Sequence, residues 1–216
     1  MDTRPALARA DDAARSFVMD ALSAIILIGS VAAAVAAVVL PVNQLTQPGG
    51  ATSVELSDTA QSQAIAAIQG LAPGTWMEFG QSGYPMQLHV LELPWPLRLL
   101  SESGVSLLLG CLAVAGFLLH RTLRSIRTGT PFEAANPRRL RIIGLLAVVG
   151  GLGGQLLEGV SRLAILDHTE MTGPESPVKL SATMGFTWIV IGALALALAE
   201  AFARGRDLSD DVAGLV

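Results

Sequence analysis

The chain has 216 residues, of which 51% are hydrophobic and only 15% charged, with a formal net charge of −4. A soluble domain carries about a quarter charged residues, so this composition, with a mean hydropathy of +0.54, points to a chain that keeps much of its length in lipid. The acidic balance argues against a nucleic-acid binder, and a single cysteine, Cys111, excludes an intramolecular disulfide.

Residues 1–19 form a polar tail in which Arg4, Arg9 and Arg15 alternate with Asp2, Asp11 and Asp12. Asp20–Leu40 follows as a first span, rich in Ala, Val and Ile and closed by Pro41. Its length matches the roughly 20 residues that cross a bilayer. It exceeds the roughly 7–15 of a signal-peptide core, so a retained span is expected. Residues 41–102 are too long for a turn and open on the breaker Pro48-Gly49-Gly50. Val54–Leu56, Thr75–Phe79 and Met86–Val90 have strand composition, and the last alternates apolar with polar. Ala64–Leu71 is open between a short helix and a strand. This predicts a small strand-containing cap, with Trp76, Phe79 and Tyr84 as its miniature core. Trp95, in Leu93-Pro94-Trp95-Pro96-Leu97, is placed like an interfacial anchor.

The second span is Ser103–Leu123, with Cys111 as a small packing residue and its only polar group. The connection 124–140 is patterned. Thr130-Pro131-Phe132-Glu133 reads as a capping box with proline at the first helical position. A short in-plane helix is expected there. Asn136-Pro137 offers a second cap that restarts the chain into the third span, Arg141–Leu166. In that span Gly144, Gly151, Gln155, Glu158 and Arg162 are spaced by seven, four, three and four residues, hence on one helical face. That face is expected to look inward, because an ionisable group facing lipid is costly. Glu158 and Arg162, one turn apart, can neutralise each other, and Gln155 can hydrogen-bond across helices. Gly150 and Gly154 add a G-x-x-x-G pair that permits close approach. The loop 167–182 holds Asp167, His168, Glu170 and Glu175. With no second histidine nearby, it reads as a solvated acidic loop, not a metal site. Thr183–Phe202 is the fourth span, with Thr183 and Thr187 as its polar groups, and residues 203–216 form the second tail.

Arginine placement sets the orientation. Arg4, Arg9, Arg15, Arg121, Arg124, Arg127, Arg138, Arg139, Arg141, Arg204 and Arg206 fall on one side, leaving Arg98, Arg162 and Lys179 elsewhere. An even number of spans puts both tails together, so the expectation is a bacterial inner-membrane protein with both termini cytoplasmic and the cap outside. The fold class is therefore an all-α membrane protein, with four transmembrane helices and a small strand-containing extracytoplasmic insertion. Among 14 basic residues Lys179 is the only lysine, a bias that fits a GC-rich genome.

Two stretches carry a resemblance. The first is Gly129-Thr130-Pro131-Phe132, then Asn136, then Arg138-Arg139-Leu140-Arg141-Ile142-Ile143-Gly144. The second is Glu200-Ala201-Phe202, Gly205, Leu208 and Asp211, ending in Leu215-Val216. Together they resemble the small four-span bacterial membrane proteins of domain-of-unknown-function family 2975. The resemblance implies no biochemical activity. It does imply a context, in which such proteins are often encoded beside a small helix-turn-helix regulator.

The expected function is that of a membrane-embedded sensory or regulatory protein acting with a cytoplasmic partner. Phe132, Asn136, Arg138, Arg139, Phe202, Gly205 and Leu208 are its candidate docking residues. The alternative is a small transporter or channel component using Glu158 and Arg162. No loop pairs a nucleophile with a base at a meaningful spacing, so no enzyme, catalytic residue, metal or cofactor is expected. The expected partners are the lipid bilayer, a cytoplasmic regulatory protein and a further copy of the chain, without direct nucleic-acid contact.

Overall fold

The computed structural model describes residues 4–46, 52–56, 74–78, 86–130, 132–169 and 185–213. The chain is an all-α membrane protein. Its elements run α1 (Arg4–Thr46), β1 (Thr52–Leu56), β2 (Thr75–Glu78), β3 (Met86–Val90), α2 (Trp95–Arg127), α3 (Ala135–His168) and α4 (Thr187–Ala213). All four helices are long and apolar enough to cross a bilayer, with mean hydropathies of 2.7, 1.9, 1.8 and 1.6 in chain order. Pro48 to Gly50, Ala64–Leu71, Glu170, Glu175, Lys179, Thr183 and Leu215-Val216 fall outside the described residues, as do the side chains of Trp76, Phe79 and Tyr84.

The helices overrun the apolar stretches that announce them. α1 already begins at Arg4 and runs through Pro41. Proline withholds one amide from the helix ladder, but only the last turns lie beyond it. The Thr46 hydroxyl closes them by donating to the carbonyls of Val42 (3.2 Å) and Asn43 (3.0 Å). α2 starts at Trp95, where the amides of Leu97 and Arg98 both donate to the Pro94 carbonyl. Trp95 is exposed at this first turn, as an interfacial ring requires.

The chain divides into two compact units. In the first (Met1–Val35, Leu109–Gly151, Phe186–Val216) the buried apolar residues are mostly small: Cys111, Ala113, Ala147, Ala195 and Ala199. Large side chains such as Val31, Val114, Leu145 and Leu194 stay exposed. That inversion is what lipid solvent selects, since tails solvate leucine as well as a core does and only close packing holds helices together. α3 and α4 meet at Gly144, where a Cβ would lie 2.9 Å from the Gly192 carbonyl, and at Gly151, which the Trp188 ring covers.

α1 and α2 share a polar seam. Asp20 pairs with Arg127, the Ser23 hydroxyl lies 2.8 Å from His120 Nδ1, and Ser30 fills the space a Cβ on Gly116 would need. His120 therefore joins Cys111 as a polar group of the second span, against the expectation above. Its signal was the spacing of Gly116, His120 and Arg127 by four and seven residues, a stripe that matches Asp20, Ser23 and Ser30 on α1.

In the second unit (Ala36–Leu108, Leu152–Gly185) the three strands form an antiparallel sheet in the order β1-β3-β2. Thr52 lies opposite Val90 in one pair and Thr75 opposite Val90 in the other. Leu88 and Val90, two apart and so on one face, are buried together with Leu93. Gln44 ties the sheet to α1 by donating to the Thr52 hydroxyl at 2.6 Å, while its carbonyl accepts from Arg98. α2 and α3 approach closely at Gly104, where a Cβ would stand 2.6 Å from the Gly154 carbonyl.

Candidate functional site

The connection between α2 and α3 is fixed residue by residue. Gly129 ends α2 at φ 80°, a conformation that costs glycine nothing. Its amide donates to Ile126 and that of Thr130 to Ser125, the paired bonds of a Schellman C-cap. The expected capping box is not what forms. The Glu133 amide meets the Thr130 backbone carbonyl (3.2 Å), and the Thr130 hydroxyl turns back to the Ser125 carbonyl (3.2 Å). Gly129 has already capped α2, so Thr130 is part of a turn between two helices, and among the described residues 132–134 no in-plane helix follows it. The next helix starts at Ala135, with Pro137 inside its first turn, where a missing amide costs nothing.

Asn136 is the knot of this connection. It is fully buried. Its amide group donates to Ser125 Oγ at 2.5 Å, and Ser125 donates on to the Thr122 carbonyl. The Asn136 carbonyl oxygen accepts from Arg139 at 2.8 Å. Arg139 also lies 3.6 Å from Glu133. A buried amide must place both ends of its side chain, and here it does so across eleven residues. Asn136 therefore holds the connection and has no surface to offer a partner, which corrects its expected role at an interface.

This knot presents Phe132 to α4. The Phe132 and Phe202 rings pack at 6.2 Å between centroids, tilted by 56°, a favourable aromatic geometry. A Cβ on Gly205 would lie 2.4 Å from Phe132, so only glycine admits the ring there. Arg141 reaches Glu200 at 3.9 Å, and Arg204 reaches it at 3.2 Å. The two stretches singled out in the sequence thus meet at one place. Phe132 remains 43% exposed and Leu208 67%; Arg138 is exposed and Arg139 half-buried.

The polar groups of α3 lie elsewhere along the helix. Gln155 accepts from the Gly185 amide at 3.0 Å, which anchors the segment entering α4. Glu158 and Arg162 pair with each other within the helix. Gly144, Gly151 and Gly154 of the expected face are buried, but Glu158 is exposed. The face thus keeps its glycines buried and Gln155 and Arg162 half-buried, while the exposed carboxylate is neutralised locally by Arg162.

A family model described as "Protein of unknown function (DUF2975)" matches residues 88–214, which covers the end of β3 and the three helices after it. No curated protein and no solved structure matches the chain.

Proposed function

The chain belongs to the DUF2975 family, and from that premise we propose that it is a membrane-embedded regulatory protein that docks a cytoplasmic partner on the α2–α3 connection and the extension of α4. The contact of Phe132 with Phe202 and Gly205 is the observation that carries this reading. Setting topology or attracting lipid headgroups needs only arginine charge. Here a Schellman cap, a buried asparagine and a glycine-seated phenylalanine fix one shape beside that charge. α4 stays helical to Ala213, past the apolar stretch, and displays Leu208, in the same unit as exposed Arg138. Exposed apolar and arginine side chains within one unit suit an acidic protein, and a small helix-turn-helix regulator is the proposed class. The arginine asymmetry supports an inner-membrane location with both termini cytoplasmic.

The test is co-purification from detergent after co-expression with a helix-turn-helix regulator encoded beside the gene. Leu208→Asp alters an exposed position, and Phe132→Ser unseats the ring. Both variants should insert at normal abundance, lose the partner and shift transcript levels of the regulator's targets. Unchanged partner recovery and unchanged transcripts in both variants would overturn the reading.

A further inference from the structure

A cleft of about 250 Å³ opens beside the knot, bordered by Arg121, Arg124, Thr128, Thr130, Glu133 and Arg139. Its volume lies below the roughly 300–1,000 Å³ of sites for drug-sized ligands, which limits the occupant to a small group. Three cations face one carboxylate, and that carboxylate is already taken by Arg139. Among the described residues neither Arg121 nor Arg124 is ion-paired. Arg121 stacks over the Phe117 ring at 4.9 Å; this holds the guanidinium plane while leaving its N–H edge open for an oxyanion.

The hydroxyls add a donor. The Ser125 carbonyl is approached by three donors at once: the Thr130 amide at 3.0 Å, the Thr128 hydroxyl at 3.0 Å and the Thr130 hydroxyl at 3.2 Å. A carbonyl has two lone pairs. The longest of these contacts, from the Thr130 hydroxyl, is the one that can turn its hydrogen into the cleft. Arg124 sits about one turn before the end of α2 and Arg121 about two, at one end of a helix long and apolar enough to cross a bilayer.

We propose that this cleft binds the dianionic head of a phosphate monoester, held by Arg121 and Arg124 with the Thr130 hydroxyl as third donor. Two unpaired guanidinium groups match a doubly charged monoester better than a singly charged diester. The bidentate fit of arginine to phosphate oxygens supplies the specificity. The site uses neither Phe132 nor Leu208, so it stands whether or not the docking reading does.

The full chain in detergent micelles tests it by native mass spectrometry and thermal melting. The probes are phosphatidic acid and phosphatidylglycerol of equal short acyl length, with inorganic phosphate as the soluble form. Phosphatidic acid should bind at least tenfold more tightly than phosphatidylglycerol. Arg124→Gln should remove that preference, Thr130→Val should weaken it several-fold, and Arg138→Gln, an equal loss of charge outside the cleft, should leave it intact. Circular dichroism melts of the unliganded variants check that each is folded. Competition by millimolar phosphate would support a site open to either source, and no competition would support a lipid-borne headgroup. Equal binding of both lipids, or equal effects of Arg124→Gln and Arg138→Gln, would overturn the proposal in favour of a diffuse basic surface.

Discussion

Glu158 and Arg162 sit one turn apart on α3; Glu158 lies eight residues, or about 12 Å of helical rise, before the apolar stretch ends near Leu166, and Arg162 about half that. Glu158 is 49% exposed along its side chain, and exposure on a spanning helix means contact with lipid or headgroups instead of bulk water. Arginine stranded at the centre of a span costs about 2.5–3.5 kcal/mol on insertion scales, and less near the interface, where its long stem can reach outward. Glu158→Gln alone should therefore lower the melting temperature in detergent. Adding Arg162→Gln should restore much of the loss, because removing both partners costs less than breaking the pair. A double variant that is as unstable as the single one, or less stable, contradicts mutual neutralisation. A double variant that is stable but inactive in cells would point to a charge-moving role for Glu158. The pair was readable from the i, i+4 spacing alone. Asn136 was not. Its place before Pro137 signals a helix cap, but the helix starts one residue earlier, and its bond to Ser125 spans eleven residues and depends on where two helix ends meet, which no local pattern encodes.

Helix against helix, the contacts rest on glycine. At Gly154 a Cβ would stand 2.9 Å from the backbone carbonyl of Gly104, whereas nothing lies within 4 Å of one on Gly159. A backbone carbonyl cannot swing aside as a side chain can. Gly154→Leu should therefore force α2 and α3 apart and markedly lower the melting temperature. Gly159→Ala on the same helix should be neutral or stabilising, by up to about 1 kcal/mol from helix propensity. Equal melting temperatures for the two variants would mean that the close approach contributes nothing. The sequence pointed to Gly150 and Gly154 as a packing pair. It could not say that the partner of Gly154 is Gly104, because the other half of a close approach lies on another helix. The four spans and the strands were legible, since some twenty apolar residues admit one structure in lipid and the alternation of Met86–Val90 admits a strand; the in-plane helix expected after Thr130 did not form. Element ends were not: Arg4 and Trp95 continue helices whose apolar runs start later, and hydropathy marks the bilayer, not the helix. The strand order β1-β3-β2 was equally silent, because any strand composition permits either neighbour.

At the scale of the whole molecule the distribution of arginine bears on which side faces the cytoplasm. Eleven of the fourteen basic residues fall at the start of α1, the end of α2, the start of α3 and the last turns of α4, and an even number of spans places those ends together. Several of these arginines are engaged: Arg127 with Asp20, Arg139 with Glu133, and Arg141 and Arg204 with Glu200. Such pairing does not weaken the orientation argument, because the bias counts Lys and Arg and is largely indifferent to Asp and Glu. Single cysteines placed on a Cys111→Ser background make the arrangement measurable. Cys111 is buried, so its replacement by a residue of similar size should disturb little. Thr128→Cys and Asp211→Cys, both at exposed positions, should react with a membrane-impermeant maleimide only after the cells are opened. Ser57→Cys and Glu175→Cys should react in intact cells. Labelling of Thr128→Cys or Asp211→Cys in intact cells would invert the orientation and remove the docking reading, since no cytoplasmic protein could then reach Phe132 or Leu208. The anion cleft would survive that outcome, because phosphate headgroups line both faces of a bilayer. The two inferences thus fail separately: the labelling experiment can remove the docking reading, and only the lipid comparison can remove the anion cleft.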